Sequence, residues 1–430
     1  MGRRVAVTLL FFGHLVRDIV GSFTARLGRW WRQTVLGQDV LAVGVDIFPF
    51  FERMTGIGWY EWNLLAWLPE VDPGIELHLY AQTFAAPEEP SPPRLPTTKR
   101  TRFRFHHVPR GFLLPVGPTL DVLRATVEPL LLFLDGPDVF FAPNFFVPRR
   151  HAPAVRRLVA TVHDLAFLRM PWTVQRETHE NLSRHLPRAL AAADALIAVS
   201  DSTAADLESI AGVSRHRVHV IHEGVDPALV DVPSAAPANL PERFLLFVST
   251  LEPRKNVVGL LDGFAGAVAA GYQGGLVLVG RWGWRTEAAQ RALAASPARE
   301  RIVRLDYLDR PALSAVLRRA EALVFPSLLE GFGLPVLEAM ACGLPVITSR
   351  RSSLPEVAGD AALYVDPEDP TTITGAILRL AHDPELRARL SSRGLQRSAL
   401  FRWQDAARAT AGVLRRAAGA GDAHPDAYRV

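Results

Sequence analysis

From Phe244 onward the chain alternates short apolar runs with amphipathic stretches of helical period. FLLFVST (Phe244–Thr250), GLVLVG (Gly275–Gly280), IVRLDYL (Ile302–Leu308), ALVFP (Ala322–Pro326), PVITS (Pro345–Ser349) and ALYVD (Ala362–Asp366) read as buried strands. NVVGLLDGFAGAVAA (Asn256–Ala270) and RPALSAVLRRA (Arg310–Ala320) carry helix spacing between them. Such a rhythm predicts an α/β fold of right-handed βαβ units, a parallel sheet with helices on both faces. The first half repeats the habit less regularly, with LAVGVDIF (Leu41–Phe48), ELHLYA (Glu76–Ala81), DVFFAP (Asp138–Pro143), RLVATVHDL (Arg157–Leu165), ALIAVS (Ala195–Ser200) and HVIH (His219–His222) as strands. Past Asp369 the pattern is helical, ending in an amphipathic helix at Trp403–Arg416.

At 430 residues the chain exceeds the roughly 250 to 300 at which single cores stop growing, so two domains are expected. Proline-rich VPSAAPANLPER (Val232–Arg243) is the natural linker, and Pro87–Arg100 a second stiff loop. The division is then an extension over 1–37, a first domain over 38–231, a linker over 232–243 and a second domain over 244–402. The helix at 403–417 is placed to pack back on the first domain. Two sheets in this order face each other across a cleft, and ligands bind at the carboxyl ends of their strands.

LEGFGLPVLEAMACGLPVITS (Leu329–Ser349) follows one such strand. Pro335 suits a first helical turn and Gly343 a helix end. A strand, glycine loop and helix start leave backbone N–H groups unpaired at the positive end of the helix dipole, where phosphates collect. Gly331 and Gly333 have no side chain to hold a ligand away. A carboxylate beside a phosphate repels it, so Glu330 and Glu338 are better used on neutral hydroxyls of a sugar or ribose. The simpler reading makes one a turn cap and the other a solvated helix residue. A glycosidase pair is a further reading, but an anion-binding helix start does not suit hydrolysis.

Arg254 and Lys255 follow strand Phe244–Thr250, again at a carboxyl end, placed to neutralise a diphosphate. Only Lys99 and Lys255 are lysines in a chain that otherwise uses arginine. His163 and Asp164 end another apolar strand, and Gly56 and Gly58 in MTGIGWY (Met54–Tyr60) permit close backbone approach.

Lys plus Arg is 48 against 44 for Asp plus Glu, and no interleaving of basic and aromatic residues points to nucleic acid. The lone Cys342 rules out an internal disulfide and suits a reducing compartment, so a cytoplasmic location is expected. No Cys and His cluster has zinc spacing and no Asp-x-Asp occurs, so neither a metal nor another cofactor is expected. VAVTLLFFGHLV (Val5–Val16) falls short of the roughly 20 apolar residues of a membrane span. TARLGRWWRQTV (Thr24–Val35) mixes arginines with paired tryptophans, which suits peripheral contact with the inner face of a membrane, or else an extra helix on the body.

Glu330 and Glu338, with seven residues between them in EGFGLPVLEAMACGLPVI, stand with EPRKN, the VHD of His163, AVSDST near Ser200 and LPEVAGDAALYVDPEDP from Leu354. Together they resemble retaining glycosyltransferases of family 4, over roughly Leu41–Leu414 and most specifically in the second half. The resemblance implies two Rossmann-like, doubly wound domains in the GT-B arrangement. It implies a metal-independent transfer of a hexose from a nucleotide-diphosphate sugar to a glycan or lipid-linked acceptor, with mannose the family's nearest branch. Glu330 would bind sugar hydroxyls and Glu338 the ribose. The amides of Gly331, Phe332, Gly333 and Leu334 would hold sugar and diphosphate together with Arg254 and Lys255. His163 would stand beside the reacting sugar, and Gly56 and Gly58 match the family's first-domain glycine loop. Many members carry an arginine several residues before the lysine, where this chain has Ser249 or Thr250. A GT-B epimerase, a phosphorylase and a catalytically silent nucleotide-sugar-binding subunit are the alternatives. With two lysines to carry pyridoxal phosphate, a phosphorylase fits poorly.

Overall fold

The computed structural model describes residues 19–47, 54, 56–83, 101–107, 132–144, 156–230, 237 and 239–419. The apolar segment Val5–Val16, the proline-rich loop Pro87–Arg100 and the first part of the linker Val232–Arg243 lie outside these residues.

Two parallel sheets form. The first holds β1 (Leu41–Asp46), β2 (Ile75–Thr83), β3 (Arg102–His107), β4 (Val139–Ala142), β5 (Leu158–Val162), β6 (Ala195–Ala198) and β7 (Val218–Val220). Its order is β3-β2-β1-β4-β5-β6-β7. The second holds β8 (Phe244–Val248), β9 (Gly275–Val279), β10 (Ile302–Leu305), β11 (Ala322–Phe325), β12 (Val346–Ser349) and β13 (Ala362–Val365), in the order β10-β9-β8-β11-β12-β13. Each sheet reverses direction once, between β1 and β4 and between β8 and β11, and such a reversal opens a crevice at the carboxyl ends. This is the α/β architecture that the strand and helix rhythm predicts.

Strand β3 is the departure. RFRFHH was not recognised as a strand, because alternating arginine and phenylalanine after a proline-rich stretch lacks the continuous apolar run of its neighbours. It pairs with β2 at the sheet edge, where a polar alternation is tolerated.

The central strands are buried throughout, as parallel strands covered on both faces must be. Phe247 of β8 stacks on Phe325 of β11 with ring centroids 5.8 Å apart, and both are fully buried. Each such side chain contributes roughly 1.5 to 3 kcal/mol on leaving water. The final helix, Trp403–Ala418, lies against the first sheet's helix Gly56–Val71. Trp403 meets Tyr60 at 5.8 Å, and Arg415 donates to both carboxyl oxygens of Asp72. Among the described residues no helix is long and apolar enough to cross a membrane.

Candidate active site at the meeting of the two sheets

Strand β11 ends at Phe325, and Ser327–Gly333 turns into the helix Leu334–Ala341 with Pro335 in its first turn. Gly333 has φ +112° and Gly343 +70°, backbone conformations that L side chains rarely adopt. Serines fix the loop. The Glu330 amide donates to Ser352 Oγ at 2.7 Å, and Ser353 Oγ donates to the carbonyls of Glu330 and Phe332 at 3.1 and 2.7 Å. The amides of Gly331, Phe332, Gly333 and Leu334 find no acceptor among the described residues. Four adjacent donors at a helix start are what an anion requires.

Beside them, β8 leads into a single turn, Pro253–Lys255, which ends at Asn256 with φ +56°. Lys255 is 7% exposed, and its Nζ donates to both oxygens of Glu330 at 2.6 and 2.8 Å. Ser327 Oγ donates to Glu330 Oε1 as well, at 2.6 Å. Arg254 donates to Asp164 Oδ2 at 3.0 Å and to Glu252 Oε1 at 3.1 Å, and its NH1 lies 3.8 Å from Glu330 Oε2. Burial alone would lower the Arg254 pKa, but Asp164, Glu330 and Glu252 outweigh it and hold it above the ordinary value. Burial likewise opposes charge on Asp164, and Arg254 and the Ala166 amide bring its pKa down. Arg254 therefore stands charged at the crevice, matched to carboxylates, and Lys255 lies beside it against Glu330.

Glu338, within the helix, pairs with Arg310 NH1 at 2.5 Å. Arg310 Nε lies 3.2 Å from Asp226 Oδ2, and its guanidinium covers the Trp59 ring at 4.1 Å. Burial would lower the Arg310 pKa, but Glu338 and Asp226 raise it. Sequence reasoning missed Arg310. The signal was present, since Asp309 caps its helix, Pro311 stands in the first turn, and the segment follows β10 at the same sheet end that carries Lys255.

From the first sheet, His163 directly follows β5. Its Nε2 donates to the Pro143 carbonyl at 2.9 Å, and Nδ1 faces Glu223 Oε1 at 3.6 Å. Tyr60 packs edge-on against the ring at 4.7 Å. Glu223 is 4% exposed; burial raises its pKa, against the pull of His163 and with a push from Glu338. Gly56 and Gly58 do not form an open loop but occupy the first turn of helix Gly56–Val71, where Gly58 is buried.

The two halves touch directly. Ser200 Oγ donates to the Gly331 carbonyl at 2.6 Å, and Thr203 Oγ1 reaches it at 3.3 Å. A Cβ on Gly331 would stand 2.0 Å from the His163 carbonyl oxygen. An anion cradle open at the rim was the expectation, yet Gly331, Phe332 and Gly333 are buried and Leu334 half-buried, because the first half lies over the loop. Glu356 accepts from the Asp201 amide at 2.8 Å and pairs with His222 Nε2 at 2.5 Å, a second clasp between the halves.

The model of the family described as Glycosyltransferase Family 4 matches residues 54–229, and that described as Glycosyl transferases group 1 matches 233–397. The chain is 29% identical to O-antigen chain mannosyltransferase B of Escherichia coli, over 62% of this chain and 71% of that one. It is 31% identical to MMP alpha-(1->4)-mannosyltransferase of Mycolicibacterium hassiacum, over 62% and 64%. It also matches the serotype-specific mannosyltransferase WbdA of Escherichia coli, of which it spans 28%. Among solved structures, sucrose-phosphate synthase from Thermosynechococcus elongatus superimposes with a TM-score of 0.68 at 22% identity, covering 89% of this chain and all of that one. Anabaena Alr3699/HepE, in complex with UDP and glucose, superimposes at 0.66 and 18%, covering 87% and 99%. Two family models that meet at the linker and take in both sheets assign the chain: it belongs to the family 4 glycosyltransferases, enzymes of the GT-B fold.

Proposed function

We propose that this enzyme moves a hexose, mannose in our reading, from a nucleotide-diphosphate sugar to a glycan or lipid-linked acceptor, with the anomeric configuration kept and without a metal. The observation that carries the reading is the pair Arg254 and Lys255 beside the four unpartnered amides of Gly331–Leu334. Negative charge grows on the departing diphosphate during transfer, and fixed cations and dipoles stabilise it without reorganising. The second half then serves as the nucleotide-sugar domain and the first as the acceptor domain. Glu330 and Glu338 take hydroxyls of sugar and ribose, with Lys255 and Arg310 holding each carboxylate in place. His163 and Glu223 present a polar edge to the reacting sugar. The three sequence relatives are named as mannosyltransferases, and this supports the choice of sugar.

Lys255 gives its ammonium to both oxygens of Glu330, so a diphosphate competes with that carboxylate for it. Closure of the first half over the loop excludes water that would hydrolyse the donor. The chain further makes peripheral contact with the inner face of a membrane through its leading segment, which suits a lipid-linked acceptor.

The decisive test is donor turnover in EDTA with a panel of nucleotide sugars and acceptors. Nucleoside diphosphate should be released, and Lys255→Ala and Glu330→Ala should each abolish release. Turnover that depends on added divalent metal overturns the mechanism. Tight binding of a nucleotide sugar with no turnover on any acceptor favours a silent binding subunit, and isomerisation of the donor sugar without transfer favours an epimerase.

A further inference from the structure

Residues 19–34 form a helix whose charged and apolar faces are exchanged relative to an ordinary surface helix. Its three arginines bond to the body, Arg26 while remaining exposed. Arg29 is 5% exposed and donates to the carbonyls of Asp135 and Gly136 at 2.8 and 2.6 Å, and Arg26 donates to that of Phe133 at 3.1 Å. These carbonyls end the helical turn at residues 132–135, where main-chain acceptors lack helical partners and cations are favoured. Arg32 pairs at 2.5 Å with Glu76, a carboxylate buried within the first sheet. Ser22 and Ala25, small and buried, complete this inner stripe.

The other face carries Val20, Phe23, Leu27, Trp30 and Trp31, each 52 to 64% exposed. They recur at intervals of three and four residues and so share one side of the helix. Arginine pairing to the body thus fixes an apolar stripe facing outward.

We infer that this stripe is a docking surface for an anionic lipid bilayer, a reading that rests on the peripheral contact proposed above and names the face that makes it. Paired tryptophans suit the headgroup level of a membrane, with rings among the acyl chains and the indole N–H among polar groups. Charge agrees. No carboxylate occurs between Ile19 and Gln38 to repel an anionic surface. The chain that leads into the helix agrees too: Val5–Val16 is apolar, is preceded by Arg3 and Arg4 and followed by Arg17. Its apolar run falls short of the roughly 20 residues a span needs.

The test is cosedimentation of the full-length protein with vesicles of phosphatidylcholine and phosphatidylglycerol. The wild type should pellet with them. Phe23→Ser/Trp30→Ser/Trp31→Ser should weaken partitioning by at least ~10-fold, from the apolar area withdrawn, with turnover on a soluble acceptor unchanged. If that variant binds as wild type while Leu9→Ser/Leu10→Ser/Phe11→Ser/Phe12→Ser does not, membrane contact stands and this face is wrong. Should the wild type ignore vesicles altogether, both readings fall. A dimer in vesicle-free buffer that the face variant dissociates would show a second copy on the stripe and overturn the lipid assignment.

Discussion

Arg310 lies with its guanidinium 4.1 Å from the centre of the Trp59 ring while its NH1 holds Glu338. One side chain of the second sheet's surroundings thereby ties a carboxylate in helix Leu334–Ala341 to the first helix of the other half. Removing one partner of a mostly buried ion pair leaves the other uncompensated, at a cost of about 3 to 5 kcal/mol. Arg310→Ala should therefore lower the melting temperature and raise the donor KM by ~10-fold or more, with a smaller effect on kcat. Arg310→Lys should recover stability in part, without the stacked planar contact. Unchanged donor KM in the alanine variant would remove Arg310 from the donor site.

The clasp at Glu356 makes a prediction about acid. Burial would raise its carboxyl pKa, but His222 and the amides of Asp201 and Ser202 outweigh that and hold it below the ordinary value. A folded pKa below the unfolded one stabilises the fold at pH above the unfolded value, about 4.3 for glutamate, and that stability is lost as pH falls through the folded value. Asp164, lowered by Arg254 against its own burial, adds in the same direction. Melting temperature should thus fall on acidification below about pH 4.3, and less steeply in Glu356→Gln. Parallel curves for the two proteins would show that the clasp contributes nothing.

Donor entry requires the halves to part, because Gly331–Gly333 are covered and Ser200 binds the Gly331 carbonyl. Ser200→Ala should favour the open arrangement, seen as a larger radius of gyration in solution scattering and faster hydrogen exchange at Gly331–Leu334. Gly331→Ala should go further, since its methyl would collide with the His163 carbonyl. Loss of activity with unchanged compactness in that variant would place the collision elsewhere.

Cys342 is half-buried, and burial pushes its thiol up to about 11, with Glu338 adding and Arg318 opposing. The thiolate is the reactive form, so at neutral pH Cys342 should modify slowly with thiol reagents in the native protein and at the free-cysteine rate once denatured. Equal rates in both states would contradict the burial.

Much of this was legible in the sequence because parallel sheets concentrate chemistry at strand ends. Apolar runs located β8, β11 and β5, and Lys255, Glu330 and His163 lie in the segments that follow their carboxyl ends. Pro335 and Gly343 marked the helix between the glutamates for local steric reasons. What escaped were relationships between segments far apart in the chain. Arg310 with Trp59, Glu356 with Asp201, and Ser200 with Gly331 each join the two halves, and no local pattern records which rims meet. The pairing of Arg26 and Arg29 escaped for the same reason, since their acceptors are carbonyls more than a hundred residues away.

The return of Trp403–Ala418 to the first half has a practical consequence for dissection. Gly224 runs so close to this helix that a Cβ there would stand 2.3 Å from the Trp403 amide nitrogen, and Arg415 anchors the far end at Asp39 and Asp72. Cleavage at the linker would strand the helix on the wrong fragment. The leading piece would lack the cover over Tyr60, and the trailing piece would display bare tryptophan and leucine, so separately expressed halves should be insoluble alone and soluble together.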